Sequence, residues 1–301
     1  MYLIILCIEA SFRDLNDEGY PAIEVNRPTL DELQQNSQLQ FQDYMTNLRR
    51  SLKKVEEYKE AKIMLLIDEF SYIYGEIMRG RIQDTFMKYW KALLEKRYFG
   101  AVLVGQDTMP EFIDHFPNEF QVAESQRISY LADDDARCLI VNPILIPNTE
   151  ESRYKGDAVN LLIRLTAGSP YYIQIFCNRL VEYMNRKKAI YVTDADIETV
   201  KEDLISGHNS LDNSVFDNLI SAGDSRIDDI SKEDALAVLR DIANGSRIQS
   251  HCDRSAINCQ TSKPVDQILS DFVRREVIEK QGTSLYRIKV GLFKEWLLKH
   301  Q

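Results

Sequence analysis

Residues 62–74 read KIMLLIDEFSYIY: an apolar run over 63–67, then the adjacent carboxylates Asp68 and Glu69, then an aromatic-rich stretch. A short unbroken run of Ile, Leu and Met is the pattern of a strand buried on both faces, as in a parallel sheet. Two neighbouring carboxylates repel each other and resist leaving water, so their place at the end of such a strand asks for a reason. At the C-terminal end of a parallel strand a carboxylate faces the crevice in which α/β sheets bind ligands. There Asp68 can hold Mg²⁺ through its water shell, and Glu69 can orient or deprotonate an attacking water. A strand that runs into a solvated acidic loop satisfies the same letters.

Two further runs share the pattern, YLIILCI (2–8) and AVLVG (101–105). Both are expected to be buried parallel strands, and RISYL (127–131) a fourth strand closing the layer. LDELQQNSQLQFQDYMTNLRRSLKKVEEY, between the first two runs, is a long helical pattern. GRIQDTFMKYWKALLEKRYFG is another, with Phe86, Tyr89, Trp90, Leu93 and Leu94 at helical spacing. Strand, helix, strand, helix, strand predicts an α/β layer with a parallel sheet. The strand at 101–105 ends in Gln106-Asp107, where a polar side chain can sense a bound phosphate.

After Pro143 and the polar PNTEESRYKGD the pattern turns helical. DAVNLLIRLTAG, SPYYIQIFCNRLVEYMNRKK and TDADIETVKEDLIS each predict a helix, the second capped by Ser169 with Pro170 at its first position, the third capped by Thr193. GHNSLDNS reads as a joint. SKEDALAVLRDIAN and PVDQILSDFVRREVIEK follow as helices, and the alternating SLYRIKVGLFKEWLL supplies a strand-like wing, so the end of the chain looks like a winged-helix domain.

The chain has 301 residues, enough for two or three domains, and 44% hydrophobic with 28% charged residues is an ordinary globular composition. The net charge of −10 argues against a general nucleic-acid coat, although from Ser231 onward twelve Lys and Arg face nine Asp and Glu, leaving −13 for residues 1–230. Five cysteines without a CxxC pair suit a reducing compartment. His251, Cys252 and Cys259 lack a second paired ligand motif and read as loop residues rather than a metal site. Four scattered histidines suggest no nucleophilic triad. The run at 2–8 is too short to span a bilayer and has no basic residue before it, so a cytoplasmic location is expected, with no membrane contact.

Taken in order, LLIDEF, AVLVGQD, TAGSPYYIQIFC and YRIKVGLFKEWL resemble the STAND branch of the AAA+ ATPases, signalling NTPases related to origin-recognition ATPases. No one of these motifs is specific; the ordered set is, and it covers the chain from about Tyr20 onward. The resemblance implies an α/β AAA+ core over 1–142, a helical lid over 143–207 opening with G-x-P, and a winged-helix domain over 208–301. It implies ATP/ADP and Mg as cofactors, with Asp68 and Glu69 as the Walker B pair and a nucleotide-dependent movement of lid and winged helix as the activity. Gln106 would then be the sensor, Arg127 a sensor or finger arginine or else a surface arginine, and Gly168 and Pro170 the lid turn beside the adenine. Pro170 also has a purely structural role at a helix start. The family's phosphate-binding loop, G-x-x-x-x-G-K-[ST], begins at none of the twelve glycines. The chain therefore reads as an N-terminally shortened relative that is not expected to hydrolyse ATP by itself. The winged helix is expected to contact a protein rather than DNA, because VDQILSDFVRREVIEK is apolar and charge-balanced, and an oligomer is compatible with the family.

Overall fold

The structure is a computed structural model that describes residues 1–149, 151–208, 210–221 and 230–300. It is α/β and mostly helical, with a small two-stranded parallel sheet and, further on, three short antiparallel strands. Two compact units divide the chain, one covering Met1–Ser125 and the other running from Gln126 onward.

The first unit begins with helix α1 (Tyr2–Asp17), where a strand is expected over 2–8. The reason lies beyond the apolar run. Ile5 and Ile8 are buried while Leu3 is 73% exposed, and Phe12 and Leu15 pack on the same core. That is a helical stripe; a strand would put Leu3 and Ile5 on one face. The long helical stretch is broken into α2 (Leu30–Gln35) and α3 (Ser37–Leu52). Thr29 and Glu32 form a capping box on α2, and Asn36, with non-helical backbone angles, interrupts the helix and caps α3 by accepting from Leu39 N at 3.2 Å. Phe41, Tyr44, Met45, Leu48 and Leu52 make the buried stripe of α3.

Strand β1 (Met64–Ile67) lies parallel to β2 (Gly100–Leu103), with Met64 opposite Gly100 and Ile67 opposite Leu103. Between them run α4 (Ser71–Met78) and α5 (Thr85–Glu95), the latter burying Met87, Trp90 and Leu93. The two strands are not buried on both faces as expected. Leu65 is buried, but Leu66 is 78% exposed and Val102 47%. Helices α6 (Met109–His115) and α7 (Pro117–Phe120) complete the unit, with Phe112 stacked on Phe70 and edge-on to Phe120.

In the second unit, 127–131 is irregular rather than a fourth strand. Ile128 is 91% exposed, and the segment is held by side chains and by one backbone bond from Leu131 N to Gly168 O instead of a ladder. Helices α8 (Asp133–Val141), α9 (Ala158–Thr166), α10 (Pro170–Lys187) and α11 (Asp194–Ser206) follow. Ser169 occupies the N-cap position of α10 without a side-chain bond, whereas Thr193 and Asp196 form a full capping box on α11. The expected joint GHNSLDNS contains Asn209, which lies outside the described residues; its end forms a 3₁₀ turn over Asn213–Phe216. Then come α12 (Asp217–Ile220), α13 (Lys232–Gly245), β3 (Cys252–Asp253), α14 (Val265–Arg274), β4 (Ile278–Gln281), β5 (Leu285–Ile288) and α15 (Gly291–Lys299). The strands form an antiparallel sheet in the order β3-β5-β4. One hydrophobic core runs through all of these elements, from Ala136 to Leu297.

Candidate functional site

Asp68 and Glu69 leave β1 at the end where β2 also terminates, so both face the C-terminal edge of the parallel pair. The chain turns there under several constraints. Glu69 has φ +54, a left-handed conformation that costs a non-glycine residue on the order of 1 kcal/mol. Asp68 Oδ1 accepts the Glu69 N–H at 2.8 Å. Phe70 N donates to Val104 O at 2.8 Å, which ties the turn to the segment after β2. Gln106 closes the arrangement from the other strand: its Nε2 donates to Glu69 Oε1 at 2.8 Å, and its backbone N–H donates to Ser71 Oγ at 3.1 Å.

Ser71 and Gly105 carry this geometry, and the sequence reading assigns a role to neither. Ser71 is buried at the start of α4 and presents its hydroxyl to Gln106. Gly105 lets the strand end pass close by: a Cβ there would lie 2.3 Å from Met109 Cγ and 3.0 Å from Ser71 Cβ. A glycine just after an apolar run was the available signal for a close approach.

Asp68, Glu69 and Gln106 are thus brought together, all exposed, in the first unit. The set suits a hydrated cation: two carboxylates, one of them steered by an amide. The phosphate side of a Mg·nucleotide has no counterpart in the sequence, because no glycine begins the phosphate-binding pattern. Among the described residues no group of three or more His, Cys, Asp or Glu is arranged to hold a metal directly. His251 Nδ1 bonds Ser250 Oγ, Cys252 is buried on β3, and the Cys259 N–H donates to Asp241.

Arg127, Gly168 and Pro170 belong to the second unit. Arg127 Nε lies 3.7 Å from Glu276 Oε2. Gly168 has φ +74, and a Cβ on it would lie 2.7 Å from Leu131 O, so glycine is required there for packing. Pro170 opens α10. The basic residues near the C-terminus are engaged within the unit. Arg274 bonds Asp271 at 2.8 Å; Arg275, its side chain 2% exposed, bonds Asp271 and the carbonyls of Asn218 and Ser221. Arg287 pairs with Glu279, and Lys289 lies 3.8 Å from Glu276 and over the Tyr130 ring.

No helix among the described residues is long and apolar enough to cross a membrane. No protein-family model matches the chain, and no curated protein matches it.

Proposed function

We propose that the chain is the carboxylate-bearing part of a nucleotide-dependent conformational switch of the STAND AAA+ type, and that by itself it does not hydrolyse ATP. The observation that carries this reading is the Glu69–Gln106 hydrogen bond across two adjacent parallel strands, beside Asp68. Asp68 would hold a hydrated Mg²⁺, Glu69 would position water, and Gln106 would report on the occupant by holding or releasing Glu69. The resemblance implies that bound nucleotide would bias a conformational switch that involves a helical lid over 143–207 and a winged-helix domain over 208–301. The test is a titration with Mn²⁺ in place of Mg²⁺, with and without ATP, followed by water proton relaxation. Asp68→Ala should weaken Mn²⁺ binding by about tenfold or more, and phosphate release by the unaltered chain should match that of Glu69→Gln. Equal Mn²⁺ binding by the unaltered chain and Asp68→Ala would remove the nucleotide reading.

A second reading concerns the winged helix alone, as a non-catalytic binding module that contacts protein rather than DNA. The internal pairing of Arg274, Arg275 and Arg287 supports it, since paired guanidinium groups are poorly placed to release counterions from a duplex. The chain should show no steep, log-linear salt dependence of binding to a mixed DNA duplex; sub-micromolar binding that weakens log-linearly with salt would reverse this assignment.

A further inference from the structure

The face of the parallel pair that carries Met64, Leu66, Val102 and Val104 is open, with 58%, 78%, 47% and 48% of these residues exposed. The edge beside it has no strand paired to it among the described residues. Gly100 N donates to Ile63 O and Val104 N to Ile67 O, so the odd-numbered residues of β1 spend their backbone groups on β2. The alternation of a parallel ladder turns the N–H and C=O of Met64 and Leu66 the other way. Among the described residues no further strand lies beside β1. The outcome is a short apolar edge without proline or bulge, the kind that proteins either block or pair.

Charge decides what can pair with it. Lys62 stands two residues before Met64 and Asp68 two after Leu66, so two exposed groups of opposite charge flank β1, one at each end. A second copy laid parallel would set Lys62 beside Lys62 and Asp68 beside Asp68. A second copy laid antiparallel about a twofold axis at Leu65 sets Met64 opposite Leu66, and Lys62 opposite Asp68, each twice. The outward-facing residues of the two edges then meet as hydrogen-bonded pairs. Centring the axis on Leu66 instead would put Asp68 opposite Met64 and leave Lys62 unmatched.

We propose that β1 is a self-association edge, through which a second copy of this chain adds in antiparallel register about Leu65. The joined sheet then runs β2-β1-β1-β2, with two Lys62–Asp68 ion pairs at its seam. So short an edge buries little surface, and the association is reversible rather than obligate. It does not rest on nucleotide binding and is measured without nucleotide or divalent cation.

Sedimentation velocity of the full chain over a concentration series should show a monomer–dimer equilibrium. Lys62→Asp or Asp68→Lys alone should weaken it by about tenfold. The double variant, with the charges exchanged, should recover it, while far-ultraviolet circular dichroism confirms that all three variants are folded. Hydrogen exchange gives an independent readout: the Leu66 amide should gain protection as concentration rises, whereas the Leu65 amide, already bonded to β2, should not change. A chain that stays monomeric, an association indifferent to both reversals, a double variant that fails to recover, or a Leu66 amide blind to concentration would each overturn the proposal.

Discussion

Single residues in this chain hold conformations that their neighbours must stabilise. Glu69 adopts φ +54 because Asp68, Gln106 and the Phe70–Val104 bond hold the turn around it. Asp196 is the energetic counterpart in the second unit. It is 1% exposed, and burial alone would raise its pKa; the Lys187 ammonium, the Thr193 hydroxyl and the Thr193 N–H outweigh that and hold it at about 2. The ordinary value is about 3.9. Because the folded-state value is depressed, the stability it brings is present above about pH 4 and is lost as pH falls towards 2. Asp196→Asn should therefore cost on the order of 2 kcal/mol at neutral pH, with the gap to the unaltered chain closing below about pH 4. Urea unfolding at pH 7 and pH 3 checks this; a gap that stays constant across that range would mean the carboxylate's charge contributes nothing.

At the scale of elements, what the sequence reveals depends on how much local pattern each segment carries. The runs 63–67 and 101–105 are read correctly as strands, and correctly as parallel, because apolar residues bounded by Gly, Asp and Gln have little else to form. YLIILCI has the same local texture yet is a helix, since seven apolar residues in a row carry no period. Only Phe12 and Leu15, further along, show that the stripe repeats every three to four residues. RISYL has strand composition but no strand beside it among the described residues, and composition does not reveal a missing strand partner. The helices over 158–206 stand where their spacing puts them, because Pro170, Thr193 and the αL residues at 167 and 188 punctuate them locally. The candidate site divides in the same way. Asp68, Glu69 and Gln106 are legible as polar residues at strand ends, whereas the buried Ser71 hydroxyl and the left-handed Glu69 arise from tertiary contacts that no short window contains.

For the whole molecule, the two units possess separate hydrophobic cores, one built around Phe41, Phe70, Trp90 and Phe112, the other around Phe176, Phe216, Phe293 and Trp296. A unit with its own core is expected to unfold as its own cooperative step. The chain carries only two tryptophans, and each core contains one of them, which gives each unit its own fluorescent reporter. Trp90→Phe leaves Trp296 as the sole probe and, among the described residues, breaks no hydrogen bond of the buried Trp90 indole N–H. Trp296→Phe leaves Trp90, at the cost of the 3.1 Å bond from Nε1 to Leu211 O. Two further substitutions load one unit at a time. Ile5→Ala opens a cavity under α1 and should cost about 2–4 kcal/mol. Gly291→Ala drives a methyl group to 2.9 Å from Arg164 O, where backbone has little room to yield, and should cost about 1–3 kcal/mol. In urea titrations, Ile5→Ala should shift only the transition reported by Trp90, and Gly291→Ala only the one reported by Trp296. Either substitution moving both curves equally would mean that the chain unfolds as one cooperative body.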